Sequence, residues 1–325
     1  MTQTIIEQAN VDIYQCPAAS PQDVTELTIG DLHANAMYMM HFLVANGVVN
    51  ISEADYQRLQ SIYQNLELKK QDIQAFNTIL EQLEIGAKPL IRLIGDEICD
   101  RGQNDYFIFK ILDKLKQSGI KTEILLSNHG IEFLMPYEQK KKLKAPNIGF
   151  NGQSLSMDNM QILIDEGKIN KEDVVRLIED SYLPDLKLIS YSLVDNNITI
   201  FSHAGIGLET IKALAAKFAE DGVVYQDDSA KALAHTIEKI NAVFSQHVKA
   251  GTVHTLWTVN SRPVGNAWKS DPVNFVIWNR GYDHLKREPQ YQGYNLYFTH
   301  GHDSYESTHD NIFNLDNKDF KHVIF

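Results

Sequence analysis

The stretch FSHAGIG, residues 201–207, follows the apolar and β-prone run ITIF, so it places His203 just past the end of an expected strand. Four other stretches repeat this arrangement, each after its own apolar run: GDLHAN at 30–35, GDEICDRG at 95–102, SNHGIEF at 127–133 and FTHGHDS at 298–304. Open α/β sheets place their ligand sites at the carboxyl ends of their strands. The sequence therefore predicts an α/β fold in which the five stretches come together at one site.

The length and composition are those of a soluble globular protein, with 325 residues, of which 43% are hydrophobic and 22% are charged. A formal net charge of −12 argues against a nucleic-acid partner, because nucleic acid is itself strongly negative. The β-prone runs are spread over nearly the whole chain. We therefore expect a single domain, 1–325, with helical insertions at about 51–88 and 136–185, which are long for simple crossovers.

The sequence gives no sign of a cleaved signal peptide or a membrane anchor. The N-terminal residues lack a basic segment followed by an apolar one, and no stretch reaches the roughly 18 apolar residues of a spanning helix. Cys16 and Cys99 do not suggest a disulfide framework. We expect a soluble cytoplasmic protein without membrane insertion.

Hydrophobic periodicity predicts helices between the motifs. Their approximate ranges are 35–48, 52–66, 104–117, 154–184, 208–220 and 228–249. The C-terminal part of the chain instead predicts strands, among them VNFVIW at 273–278 and NLYFTHGH at 295–302.

Each of the five stretches supplies a side chain that can bind a divalent cation. The candidates are Asp31, His33, Asp96, Asn128, His203, His300 and His302. Oxygen ligands and imidazoles at one sheet edge favour a site for two divalent metal ions, such as manganese, iron or zinc. Taken singly, each stretch also fits a turn, a helix cap or a structural histidine. The agreement of all five favours the functional interpretation.

Two further residues indicate phosphate chemistry. Arg101 is one of only seven arginines in the chain, and its planar guanidinium suits phosphate oxygens. His129 follows an expected strand and is a candidate general acid. Cys99 lies in the sequence CDRGQ, which lacks the Cys-x5-Arg spacing of cysteine-dependent phosphatases, so we do not expect a thiol nucleophile.

The order of the motifs resembles that of the phosphoprotein phosphatase (PPP) metallophosphoesterases over residues 28–317. VIWNRG at 276–281 resembles the family's second arginine element, and FNLDN at 313–317 resembles its closing strand. The departures from the family pattern resemble a divergent bacterial branch, the Wip-type phosphatase effectors of Legionella. The resemblance implies a calcineurin-like fold, with two mixed β-sheets in a sandwich flanked by helices, and two divalent metal ions.

The resemblance also implies a role for each candidate residue. The implied metal ligands are Asp31, His33, Asp96, Asn128, His203 and His302, with Asp96 between the two ions. The implied phosphate-binding residues are Arg101, Arg280 and Asn128. The implied general acid is His129, oriented by Asp100. The pattern departs from the family in one extra residue between Asp96 and Asp100, and in Gly130, which replaces an acidic residue for which Glu132 is a candidate substitute.

These features predict a metal-dependent protein phosphatase that hydrolyses phosphoserine and phosphothreonine by direct attack of a metal-bridging hydroxide. Three alternatives stay open. They are a phosphotyrosine phosphatase on the same fold, a hydrolase of dinucleoside polyphosphates or other small phosphate esters, and a non-catalytic scaffold. The expected partner is a phosphoprotein, which would be a host protein in the host cytosol if the chain is a secreted effector.

Overall fold

The computed structural model describes residues 4–8, 11–19, 24–144, 154–256, 270–280, 289–303, 310–316 and 320–325. The strands are β1 Thr4–Gln8, β2 Glu26–Ile29, β3 Val49–Asn50, β4 Glu84–Ile85, β5 Leu90–Leu93, β6 Thr122–Leu125, β7 Leu186–Lys187, β8 Ser190–Val194, β9 Asn197–Ser202, β10 Gln290–Tyr291, β11 Tyr294–His300, β12 Ile312–Asn314 and β13 Phe320–Ile324. The helices are α1 Ala36–Ala45, α2 Glu53–Gln64, α3 Lys70–Gln82, α4 Asp105–Gln117, α5 Asn128–Glu138, α6 Leu155–Asp165, α7 Lys171–Ser181, α8 Leu208–Lys217, α9 Ala230–Ala250 and α10 Pro272–Trp278.

Two mixed sheets organise the chain, which confirms the predicted α/β class. The first sheet has the order β1-β13-β2-β5-β6-β7, and its last four strands are parallel. The second has the order β10-β11-β9-β8, with β12 beside β11. In this second sheet β9, β11 and β12 are parallel, whereas β8 and β10 are antiparallel to their neighbours.

The strand registers bring the motifs to common sheet edges. In the first sheet Ile29 of β2 lies opposite Leu93 of β5, and Leu93 lies opposite Ile124 of β6. Parallel strands in such a register end together, so the residues that follow them meet at one edge. In the second sheet Ser202 lies opposite His300, which places the ends of β9 and β11 side by side.

A buried arginine connects the two sheets. Arg92 of β5 is fully buried, and its guanidinium carbon lies 4.1 Å from the ring centroid of Phe201 in β9. Its Nε donates to Ser190 of β8 at 2.7 Å and to Glu123 of β6 at 3.1 Å. The charge is thus paired and hydrogen-bonded, as a buried cation requires. A sandwich specifically of the calcineurin-like type stays a prediction.

Each predicted helical range contains helix, but one of them is divided in two, and α5 and α10 form where no helix was predicted. The range 154–184 contains two helices, α6 and α7, with Gly167 between them at a φ of +62°. The stretch VNFVIW belongs to helix α10, so the predicted strand was wrong. Asp271 caps this helix by accepting from the Asn274 N–H, and Pro272 occupies its first turn. A short apolar run does not by itself distinguish a strand from a buried helix.

The predicted insertions contain α2 and α3 in 51–88, and α6 and α7 in 136–185. Their place within one domain stays a prediction. None of the helices in the described ranges combines the length and the apolar character needed to cross a membrane.

Candidate active site

Strained backbone marks the loops that carry the motifs. Among the described residues eight non-glycine residues have a positive φ, and five of these are in the motifs. They are His33, Ala34, Asp96, Cys99 and His302, with φ between 49° and 58°. Each such residue costs on the order of 1–3 kcal/mol, and such strain clusters at functional sites. The clustering of left-handed residues in the motif loops therefore indicates a functional site there, independently of any family resemblance.

Two glycines allow the loops to approach each other closely. A Cβ on Gly95 would overlap the ring of His203, and a Cβ on Gly301 would overlap the carboxylate of Asp31. Gly95 also has a φ of +145°, which residues with a side chain rarely adopt. These two positions therefore hold the ends of β5 and β11 against side chains from other strands.

The centre of the site is a buried cluster of carboxylates, imidazoles and an amide. His203 Nε2 lies 2.8 Å from Asn128 Oδ1 and 3.4 Å from Asp96 Oδ1, and its Nδ1 lies 3.6 Å from Asp31 Oδ1. The rings of His203 and His302 have centroids 4.8 Å apart. The backbone N–H of His302 donates to Asp31 Oδ2 at 2.9 Å. The structure thus brings together five of the six predicted metal ligands here.

Burial and charge determine the protonation of this cluster. Burial opposes protonation of His203, but the carboxylates of Asp96 and Asp31 outweigh it and raise its pKa to about 9. Burial and the charges of His203 and Arg280 lower the pKa of His302 well below its usual range. His203 is therefore a cation and His302 a neutral imidazole near pH 7.

His33 occupies the edge of the same site. Its Nδ1 lies 2.9 Å from Asp100 Oδ2, and its Nε2 lies 3.5 Å from Asp316 Oδ1. Burial opposes protonation of His33, but the hydrogen bonds to Asp100 and Asp316 raise its pKa to about 10. Asp316 was not predicted as a partner, because it lies far along the chain in a stretch interpreted only as a closing strand.

His129 is the first-turn residue of α5, and its tautomer follows from its contacts. Its Nδ1 lies 2.7 Å from the backbone oxygen of Cys99, which can only accept, so Nδ1 carries a hydrogen. Its Nε2 lies 3.7 Å from Asp100 Oδ1, an ion-pair distance but not a hydrogen bond. Glu132, the candidate substitute acid, lies 3.7 Å from Nδ1. Burial lowers the pKa of His129, but Asp96, Asp100 and Glu132 raise it more.

Helix α6 holds the Asp100 loop through a buried serine. Ser156 Oγ accepts from the Asp100 N–H at 3.0 Å, and the Ser156 N–H donates to the Asp100 carbonyl at 3.0 Å. Ser156 is fully buried. Ser156 was not predicted as a site residue, since nothing in the sequence around it relates it to a loop more than fifty positions earlier.

The two predicted phosphate-binding arginines both reach the surface. The Arg101 guanidinium lies 3.8 Å from Asp100 Oδ2, and its side chain is 63% exposed. Arg280 is exposed at the end of α10, and its charge helps to lower the pKa of His302. Both cations are therefore near the buried cluster while their ends stay open to solvent.

Neither cysteine is suited to thiolate chemistry. Burial, with the carboxylates of Asp105 and Glu132, raises the pKa of the Cys99 thiol well above its usual range. Burial and Glu53 raise the pKa of Cys16. A thiolate is the nucleophilic form, so both thiols are poor nucleophiles at neutral pH.

Three groups of side chains are close enough to share one ion. In each group the ligand atoms lie within 4.8 Å of one another. The groups are Asp96, His203 and His302; His33, Asp96 and Asp100; and Cys99, His129 and Glu132. Asp31 Oδ1, Asp96 Oδ1, His203 Nδ1 and His302 Nε2 are buried without a hydrogen-bond partner among the described residues. Such atoms are expected where a polar molecule binds.

Comparison with known proteins identifies relatives of this chain. Residues 90–321 match the family described as WipA-like, phosphatase domain. The phosphatase domain of the Legionella effector WipB is 37% identical, with a TM-score of 0.77, over 86% of this chain and 99% of that one. A cold-active protein tyrosine phosphatase is 15% identical, with a TM-score of 0.41, over 94% of this chain and 73% of that one. This last likeness is too weak to carry an argument. None of the curated proteins compared with the chain matches it.

These comparisons correct the predicted family and cofactors. The matching family is the WipA-like phosphatase domain, so the assignment to the PPP metallophosphoesterases was wrong. They also contradict the two divalent metal ions, with manganese favoured, that were predicted with that family. The matching family and the similar WipB domain are described as phosphatase domains, and the metal prediction had rested on the resemblance to the PPP family. The broader prediction, a phosphatase that hydrolyses phosphoric monoesters, is confirmed.

Proposed function

Because this chain belongs to the WipA-like phosphatase domain family, we propose that it is a protein phosphatase that hydrolyses phosphotyrosine. Among the alternatives drawn from the sequence, this one fits the depth of the site best. The proposal replaces the phosphoserine and phosphothreonine preference predicted first.

The observation that carries the proposal is the burial of the reactive side chains. Asp100 is 1%, Asn128 3% and His129 5% exposed. A phosphoserine phosphate is separated from the peptide backbone by one methylene, whereas a phosphotyrosine phosphate lies a whole aromatic ring farther out. A phosphate that must reach His129 below the surface is therefore supplied more readily by phosphotyrosine.

Three side chains would bind the phosphoryl group. Arg101 and Arg280 present guanidinium groups at the rim, and guanidinium pairs with phosphate oxygens through two hydrogen bonds. The side-chain oxygen of Asn128 lies 2.8 Å from His203 Nε2. Its amide nitrogen would therefore be the atom that donates to a phosphate oxygen. Together they would offset the charge that develops on the phosphoryl group.

His129 would act as the general acid. Its Nδ1–H is held by the Cys99 carbonyl, so the opposite nitrogen, Nε2, faces the substrate. The neighbouring carboxylates raise its pKa, which favours the protonated imidazole that a general acid needs. In the proposed step Nε2 gives its proton to the tyrosine oxygen as the P–O bond breaks.

Water supplies the attacking oxygen in this proposal, because both cysteine thiols have raised pKa values. A new P–O bond forms from water as the bond to tyrosine breaks, and the proton released by the water restores His129. The products are inorganic phosphate and tyrosine.

The test is hydrolysis of three peptides with one sequence that carry phosphotyrosine, phosphoserine or phosphothreonine at the same position. We expect kcat/KM for the phosphotyrosine peptide to exceed the other two by at least about 10-fold, the factor given by 1.4 kcal/mol. A dinucleoside polyphosphate, measured alongside, addresses the small-ester alternative. Faster hydrolysis of phosphoserine would contradict the proposal.

The family also suggests where the enzyme acts. WipB is described as a Legionella effector. We propose by analogy that this chain acts on phosphoproteins of a host cell. Detection of a tagged form of the chain in the cytosol of infected cells tests this.

A single catalytic domain over 1–325, with insertions at about 51–88 and 136–185, is part of the same proposal.

A further inference from the structure

A cavity opens at the end of α5 that is opposite to His129. It lies where α5 meets α6, α7 and the last turn of α9, and its volume is about 680 Å³. Small-molecule sites typically have volumes of roughly 300–1,000 Å³. Its rim carries Lys140, Lys141, Lys142, Lys171 and Lys249, and we call it the lysine-ringed cavity.

The floor of the lysine-ringed cavity is aliphatic. It is formed by Leu143, Ile164, Val174, Ile178, Leu183 and Val248. Tyr137 is the aromatic residue of the described lining, and its ring already stacks on Phe133, with centroids 5.9 Å apart and planes at 14°. A floor of this kind suits an alkyl chain, which needs apolar contact and no stacking surface.

The acidic residues of the lining are already engaged. Glu138 accepts from the backbone N–H groups of Val253 and His254, at 3.0 and 2.9 Å. Asp165 accepts from Lys142 at 2.8 Å, and Glu179 accepts from the Tyr137 hydroxyl at 3.4 Å. All three carboxylates are therefore hydrogen-bonded within the chain, and the charge of Asp165 is paired with that of Lys142.

The remaining rim lysines form a local excess of positive charge. Lys140, Lys141, Lys171 and Lys249 are exposed and have no acidic partner within 4.0 Å in the described parts of the chain. The whole protein carries a net charge of −12, so this concentration is opposite in sign to the molecule. Such a rim attracts an anionic group to the mouth of an apolar cavity.

We infer that the lysine-ringed cavity binds a fatty acid, with the alkyl chain on the aliphatic floor and the carboxylate among the rim lysines. The inference does not depend on the proposed function, because its residues and its readout are separate from the phosphatase site.

The test is isothermal titration calorimetry of the full chain with dodecanoate below its micelle concentration. We expect octanoate, four methylenes shorter, to bind at least ~10-fold more weakly, because each buried methylene contributes about 0.8 kcal/mol. Dodecyltrimethylammonium, which has the same chain and a positive head group, should not bind.

Charge reversal at the rim provides the matched comparison. Lys141→Glu with Lys249→Glu should weaken dodecanoate binding at least ~10-fold. Lys212→Glu with Lys231→Glu makes the same charge change at exposed positions outside the lining and should leave the affinity unchanged. Absence of dodecanoate binding, equal affinity of the two double variants, or binding of an acidic peptide in place of dodecanoate would each overturn the inference.

Discussion

His33 and Asp100, one from the loop after β2 and the other from the loop after β5, form a hydrogen-bonded pair with Nδ1 2.9 Å from Oδ2. Both residues were identified from the sequence, but with different partners, since Asp100 was assigned to orient His129. The Asp100 carboxylate in fact faces both imidazoles, at 2.9 Å from His33 and 3.7 Å from His129. Its position therefore influences the protonation of both.

The pairing predicts a pH dependence of stability. The pKa of His33 is raised from 6.5 to about 10 in the folded state. Between these two pH values the folded state binds a proton at His33 that the unfolded state has released. The stabilisation is complete below pH 6.5 and is lost as the pH rises toward 10. We expect Asp100→Asn to reduce the pH-dependent part of the free energy of unfolding by on the order of 1 kcal/mol, after allowance for solvent screening. Urea unfolding at pH 6 and pH 9 measures it, and an unchanged difference in the variant would contradict the role of the pair.

Removal of the proposed acid should depend on the leaving group. His129→Asn is expected to lower kcat/KM for a phosphotyrosine peptide by about 10²–10⁴-fold, the usual contribution of a general acid. p-Nitrophenolate is stable as an anion and needs the proton less, so hydrolysis of p-nitrophenyl phosphate should fall less. Arg280→Ala is the control, because the phosphoryl group it would bind is common to both substrates. Equal losses on both substrates for His129→Asn would exclude it as the acid.

Ser156 should affect turnover through Asp100. Ser156→Ala removes the oxygen that accepts from the Asp100 N–H, and small displacements of a catalytic loop are costly. We expect kcat for p-nitrophenyl phosphate to fall by about 10-fold, with a smaller change in KM. Ser154→Ala, at the same helix start, removes a hydroxyl that contacts Asp158 and not this loop. If both variants lose the same activity, Ser156 has no specific connection to the site.

The buried thiol should be dispensable for chemistry. Cys99→Ala keeps a small apolar side chain in a buried position and removes the sulfur. We expect kcat within about 3-fold of the unsubstituted chain, because the raised pKa leaves the thiol protonated. Steady-state kinetics with protein shown to be folded by circular dichroism measures this. Complete loss of activity in folded Cys99→Ala would bring back a thiol nucleophile.

The strand ends were predictable from sequence because their signals are local. An apolar run followed by Gly-Asp or Ser-Asn identifies where β5 and β6 end, and parallel packing then brings Asp96 and Asn128 together. The helix at 272–278 was not predicted because VNFVIW is apolar except for Asn274, and a short apolar run fits a strand as well as a buried helix. Its start signal is Asp271 followed by Pro272.

The partners of the site residues were less predictable. Left-handed backbone at His33 and Cys99 determines where His33 points and where the Cys99 carbonyl lies, and residues other than glycine adopt that conformation rarely. Asp316 and Ser156 meet the site only through the folded chain. Contacts of that kind depend on tertiary packing, which one sequence does not reveal.

The most direct test of the central claim is phosphate release from a phosphotyrosine peptide and from its phosphoserine counterpart, measured with the unsubstituted chain and with His129→Asn. We expect the unsubstituted chain to favour phosphotyrosine by at least about 10-fold in kcat/KM, and His129→Asn to lose most of its activity on that peptide. Equal or faster hydrolysis of the phosphoserine peptide by the unsubstituted chain would contradict the claim, whatever the variant does.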